Sequence, residues 1–217
     1  MLAKRLQHFD SSFIRQAFDR AGDVPGSVDL SIGFPEDDTP DYIKAAGISA
    51  IQDGFTRYMP SNGIFELRAA VAEKLSRENN IPATPDQVTI TPGVTTGILL
   101  TYMALLDPGD EVLLPDPFFP PYRDLATMLD AKAVLMDTNP TFQLTAKQIA
   151  QHITQKTKIL VINSPNNPSG AVYPEPELRK IAALAKKHGL IIISDEIYEH
   201  FAYDTPTSVL AASIRTL

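Results

Sequence analysis

Two polar residues stand where apolar runs end. Ile159-Leu160-Val161-Ile162 leads into Asn163-Ser164-Pro165-Asn166-Asn167-Pro168-Ser169-Gly170, and Leu190-Ile191-Ile192-Ile193 leads into Ser194-Asp195-Glu196-Ile197-Tyr198. The pattern reads as strand, polar turn, helix, strand. It puts Asn167 and Asp195 at the carboxyl ends of strands, where open α/β sheets bind ligands. An ionisable residue that closes an apolar strand is expected to be partly buried, and a buried carboxylate needs a partner. That partner is either an internal lysine or arginine or a protonated heterocyclic nitrogen on a ligand. Asn167 is either a local turn former or an amide directed at the same ligand.

Two further stretches could serve such a ligand. Thr91-Pro92-Gly93-Val94-Thr95-Thr96-Gly97 joins a strand candidate to a helix start. Unpaired N–H groups, the positive end of the helix dipole, a glycine and hydroxyls make an anion site there, or else a threonine-capped helix start. The spacing is that of neither a P-loop nor a dinucleotide fingerprint. Asp116-Pro117-Phe118-Phe119-Pro120-Pro121-Tyr122 sets aromatics after another strand, either as core packing or as a face for a flat ligand. One ligand class would use all four features: a phosphorylated, flat, aromatic heterocycle with a basic nitrogen and a phenolic oxygen.

The elements that must position these residues follow from periodicity. Strands are expected at 88–90, 112–114, 133–135, 158–162 and 190–193, separated by helices at 93–106, 119–129, 145–154 and 175–188. Such alternation predicts βαβ units, hence an α/β fold with a mainly parallel sheet and helices on both faces. The 93–106 segment is apolar nearly all round and is expected to be buried. The 175–188 segment ends in Lys186, Lys187 and His188 before Gly189, a helix stop. Upstream, residues 3–20 are expected to form an N-terminal helical arm. Thr39 is the expected N-cap, with Pro40 first in a helix that Gly54 ends, and another helix spans about 64–79. This divides the chain into an arm with the first helices (1–54) and a ligand-binding domain (55–217).

Composition excludes several classes. The 217 residues carry a net charge of −7 and no cysteine. No basic excess invites nucleic acid or an anionic membrane, and disulfides, thiolate metal sites and a cysteine nucleophile are ruled out. No metal site is expected. No apolar run approaches a membrane span, and the first residues lack a signal-peptide core, so a cytoplasmic location is expected.

The ordered strings Gly33-Phe34-Pro35 with Thr39-Pro40, Tyr58 to Gly63 with Leu67-Arg68, Thr91 to Thr95, Asp107 to Val112, Asn163 to Gly170 and Ser194 to Tyr198 resemble the large domain of class I/II aminotransferases. These are the fold-type I pyridoxal 5′-phosphate enzymes of the aspartate aminotransferase group. The resemblance implies that Gly93, Val94 and Thr95 hold the cofactor phosphate and that Phe119 stacks on its ring. It implies that Asn167 and Tyr198 bond the phenolic oxygen and that Asp195 pairs with the ring nitrogen. Tyr58 is then a phosphate ligand reaching the other subunit of a homodimer. Ile32, Gly33 and Phe34 lie beside the substrate carboxylate, and the substrates are an amino acid and a 2-oxo acid.

The resemblance also implies a Schiff-base lysine beyond the aspartate, and a C-terminal small domain with an arginine for the substrate carboxylate. Neither is in the 217 residues. The expectation is therefore a fragment or truncated reading frame that does not transaminate by itself, with no catalytic residue to nominate. Lyase chemistry on the same scaffold, such as C–S cleavage by β-elimination, or synthase chemistry, and a non-catalytic cofactor-fold module, are the alternatives.

Overall fold

The computed structural model describes residues 37–203, together with Gly26, Val28 and Gly33. The expected helical arm at 3–20 lies outside these residues, as do Ile32 and Phe34. The chain divides into two compact units, with the break between Ile64 and Phe65.

In the N-terminal unit, α1 spans Asp41–Gln52 and none of its side chains is buried. Its N-cap is Pro40, one residue later than expected. Thr39 instead turns its N–H to the Asp38 side chain at 2.7 Å, a local bond that fixes the chain just before the helix. Gly54 follows the helix at φ 83°, a value that glycine adopts without steric cost.

The larger unit begins with α2 (Phe65–Glu78) and α3 (Val94–Leu105). It continues as β1 (Glu111–Asp116), α4 (Pro121–Met128), β2 (Lys132–Asp137), α5 (Ala146–Ala150), β3 (Thr157–Asn163), α6 (Glu175–His188) and β4 (Ile191–Asp195). The four strands form one sheet in the order β2-β1-β3-β4. All three pairings are parallel, from Glu111 opposite Lys132 to Asn163 opposite Asp195. The expected fifth strand at 88–90 does not form. Val88 has extended torsions, φ −110° and ψ 129°, but among the described residues no strand pairs with it. Extended backbone becomes a strand only when a neighbour takes its N–H and C=O groups.

The two central strands are buried on both faces, so they read as continuous apolar runs rather than alternating ones. Alternation still decides which core each side chain joins. Val112, Leu114, Ile159 and Val161 face one cluster with Ile98 and Tyr102 of α3 and Tyr122 and Leu125 of α4. Leu113, Leu160 and Ile162 face the other with Ile149 of α5 and Leu178 and Ile181 of α6. Each fully buried leucine or isoleucine contributes about 1.5–3 kcal/mol relative to exposure. The result is a three-layer sandwich, α3 and α4 on one face and α5 and α6 on the other.

α3 is not buried all round: Ile98 and Tyr102 are buried, but Leu100 and Met103 are 48% and 60% exposed. An apolar sequence buries only the stripe that meets the sheet when nothing packs on its outer face. α6 follows its sequence signals closely. Glu175 and Glu177 lie in its first turn, Lys186, Lys187 and His188 in its last, and Gly189 ends it in the left-handed region at φ 67°. These charges oppose the helix dipole at both ends. At α5 a reciprocal cap joins Thr145 and Gln148. The Ala146 N–H donates to Glu177 at 2.8 Å, which joins α5 to the first turn of α6.

Candidate functional site

Asp195 is the last residue of β4 and is only 7% exposed. The strand ladder sets its backbone: Asn163, the last residue of β3, is its register partner, and the Ser164 N–H donates to the Asp195 carbonyl at 3.1 Å. Its carboxylate takes two donors. The Tyr122 hydroxyl donates to Oδ2 at 2.6 Å, and the Ile197 N–H donates to Oδ1 at 3.2 Å. Among the described residues no lysine or arginine pairs with it. The internal ion pair that was one of the two sequence alternatives is therefore not the partner. A carboxylate offers about four lone-pair positions, so acceptor capacity remains after these two bonds.

Tyr122 stands in the first turn of α4, which begins at Pro121. Its ring meets Phe119 edge to face, with centroids 5.6 Å apart and planes at 82°. Burial, reinforced by the Asp195 carboxylate, pushes its phenol far above the usual tyrosine range. The shift favours the neutral, donating phenol. Tyr102, also in this core, has no hydrogen-bond partner for its hydroxyl among the described residues, and burial raises its phenol as well.

Asp195 borders a cleft of about 430 Å³ whose lining includes Thr91, Gly93, Val94, Thr101 and Ile193. The start of α3 lines the same cleft. Gly93 is its N-cap, with φ 83° and ψ 163° and no side-chain cap. The first N–H groups of a helix have no intrahelical acceptor, so those of Val94 and Thr95 remain available to an anion. The neighbouring hydroxyls are used locally: Thr91 donates to the Gly93 carbonyl at 3.0 Å and Thr96 to that of Pro92 at 3.1 Å. A Cβ at Gly97 would stand 3.4 Å from the Thr91 hydroxyl oxygen, so the loop and helix are closely fitted there. The cleft lining therefore includes both the positive end of a helix and a buried carboxylate.

The sequence-named residues are distributed as follows. Gly93, Val94 and Asp195 line the same cleft, and Thr95 follows in the same helical turn, exposed. Phe119 reaches Asp195 through Tyr122. Asn167 is placed by Asn163, whose side-chain oxygen accepts the Asn167 N–H at 2.7 Å. Tyr198 is 37% exposed and packs edge to face on Phe201 at 6.2 Å. Tyr58 belongs to the N-terminal unit, where its side chain is fully exposed beside Thr56 and Arg57. Gly33 is exposed.

Three residues were missed by sequence reasoning. Tyr122 was read with the other aromatics of its loop. Asn163 was read as the first residue of the polar turn, yet its amide donates both to the Asp195 carbonyl at 3.0 Å and to the Pro165 carbonyl at 3.1 Å. Glu199 accepts from Lys74 and from Asn79 at the end of α2. Burial opposes its charge, but the bonds from Lys74 and Asn79 outweigh it and leave the carboxyl below its usual range. Among the described residues no cluster of histidine and acidic side chains could hold a metal ion, and no helix is long and apolar enough to cross a membrane.

Comparison with known proteins places this geometry. The chain is 41% identical to a probable aspartate/prephenate aminotransferase of Aquifex aeolicus, over 98% of this chain and 55% of the relative. It is 40% identical to aromatic-amino-acid aminotransferase 2 of Thermococcus litoralis, over 98% of this chain and 56% of the relative. The structure of Thermus thermophilus aspartate aminotransferase with maleate superposes with a TM-score of 0.94 at 36% identity, covering 99% of this chain and 58% of that one. The chain thus spans a little over half the length of these relatives. The model of aminotransferase class I and II matches residues 25–216, and the chain belongs to that family.

Proposed function

We propose that this chain supplies the cofactor-holding half of a pyridoxal 5′-phosphate-dependent aminotransferase, which moves an α-amino group from an amino acid to a 2-oxo acid. The observation that carries the reading is Asp195: a buried carboxylate without a lysine or arginine partner among the described residues, lining the same cleft as an uncapped helix N-terminus. The donor set fits the cofactor. The α3 N-terminus, with Gly93, Val94 and Thr95, would hold the phosphate. Asp195 would hold a protonated ring nitrogen, Phe119 would flank the ring, and Asn167 and Tyr198 would bond the phenolic oxygen. When bound, the cofactor supplies an electron sink for the deprotonated amino-acid carbon.

The chain's own residues do the rest. Asp195 favours the protonated nitrogen because a near negative charge favours a positive one. Tyr122 and the Ile197 N–H hold that carboxylate in place. Ile32, Gly33 and Phe34 are proposed to flank the substrate carboxylate, and Tyr58 to serve the phosphate of a second subunit in a homodimer. The names of the relatives favour acidic and aromatic amino acids as substrates.

Titration of the 217-residue chain with pyridoxal 5′-phosphate, followed by absorbance and fluorescence, tests the reading. Binding should saturate, inorganic phosphate should compete, and pyridoxal without its phosphate should bind at least about tenfold more weakly, as expected for the loss of several charge-assisted bonds. Absence of saturable binding, or equal affinity for pyridoxal, refutes it.

A further inference from the structure

We infer that Tyr122 is the positioning residue of Asp195, fixing the carboxylate so that it discriminates for a ligand with a ring nitrogen. The inference rests on the cofactor reading above, and it assigns a role to a residue outside the set named from the sequence.

The geometry is specific. Tyr122 is 1% exposed and Asp195 7% exposed, so neither side chain can exchange its partner freely with bulk water. The 2.6 Å bond from the hydroxyl to Oδ2 and the 3.2 Å bond from the Ile197 N–H to Oδ1 hold one oxygen each. Together they fix the plane of the carboxylate. The hydroxyl is itself immobile: the ring is wedged against Phe119 and sits in the core formed by α3, α4 and the sheet. A buried carboxylate without a cation depends on hydrogen bonds to stay charged and oriented. Burial, with the Asp195 carboxylate adding to it, raises the phenol above its ordinary range, which favours the protonated, donating form beside the carboxylate. Without Tyr122, Oδ2 loses its only side-chain donor among the described residues, and the carboxylate can turn away from the cleft.

The experiment compares two ligands on the full chain. One is pyridoxal 5′-phosphate. The other is its carbocyclic analogue, in which the ring nitrogen is replaced by C–H. The ratio of their affinities reports the contact with the nitrogen, because both carry the same phosphate and the same phenolic oxygen. In Tyr122→Phe the preference for the nitrogen-bearing ligand should fall about tenfold, the worth of one charge-assisted bond. The affinity for the analogue should stay within about twofold. In an Asp195→Asn background, where the preference is already lost, adding Tyr122→Phe should change nothing further.

Circular dichroism and thermal melting confirm that each variant is folded. If the phenylalanine variant does not fold, Tyr122→Met, which likewise carries no donor for the carboxylate, gives the same comparison. Equal losses for both ligands, or an unchanged preference, overturn the positioning role while leaving the cofactor reading intact. Failure of either ligand to bind the unsubstituted chain overturns the cofactor reading, and this role with it.

Discussion

Asn163 and Asp195 face each other as register partners at the carboxyl ends of β3 and β4, and the side chain of the first donates to the backbone carbonyl of the second at 3.0 Å. The same amide reaches the Pro165 carbonyl, and its oxygen accepts the Asn167 N–H. One buried side chain thus locks the turn that carries Asn167 to the strand that carries Asp195.

Replacing Asn163 by alanine should therefore destabilise the fold and disorder the site together. Leaving the Asn167 N–H and the Pro165 carbonyl without these partners should cost about 2–3 kcal/mol, read as a lower urea midpoint at unchanged slope. Binding of pyridoxal 5′-phosphate should weaken in parallel. Asn163→Asp keeps the acceptor for Asn167 but loses the amide donor, and it sets a second carboxylate beside Asp195. It should be no better than alanine. A neutral effect in either variant would remove Asn163 from the site.

Gly93 holds φ 83° and ψ 163°, a region essentially confined to glycine. Nothing lies within 4 Å of the position a Cβ would take, so the cost of Gly93→Ala is backbone strain alone, about 1–3 kcal/mol. The melting temperature should fall, and the affinity for phosphate-bearing ligands should fall with it as the helix entrance shifts. Asparagine, which often rescues left-handed positions, should not rescue here, because ψ lies far from that basin.

Three buried tyrosines predict the response to alkali. Tyr102 and Tyr122 are raised by burial, with Asp195 adding to the effect at Tyr122, and burial pushes Tyr173 up to about 12. A raised folded value means that this stability is fully present below the unfolded value, near pH 10, and is lost as pH climbs through the folded values. Between about pH 10 and 12, stability should fall by about 1.4 kcal/mol per pH unit for each tyrosine, so about 4 kcal/mol per pH unit for the three together. Tyr102→Phe should remove one such contribution. Because it also deletes a buried hydroxyl without a partner among the described residues, it should raise stability by about 1 kcal/mol at neutral pH. Urea titrations across pH check both parts, and a destabilised Tyr102→Phe protein would show that the hydroxyl has a role.

The parallel sheet was legible because βαβ alternation and continuous apolar runs are set by local composition. The ends of β3 and β4 were legible for the same reason, since Asn163 and Asp195 interrupt runs of isoleucine, leucine and valine. Residues 88–90 were not, because a strand is defined by its partner and extended torsions do not reveal one. The exposed outer stripe of α3 was misread because an all-apolar helix looks the same whether one side or both are covered. Tyr122 was missed for a related reason. Its hydroxyl finds its acceptor 73 residues away in sequence, and a phenol in an aromatic-rich loop carries no local sign of that target.

The segment after Asp195 is pinned at both abutments. At one end the Asp195 carbonyl is held by Ser164 and Asn163 and its carboxylate by Tyr122. At the other, Glu199 is fastened to Lys74 and Asn79 of the α2 end. Tyr198 is carried between them and can turn about its own torsions while the backbone beneath it stays taut. Glu196 and Ile197 of this segment line the cleft, and the conformational freedom that a loose strap would surrender on meeting a ligand there has already been given up in folding.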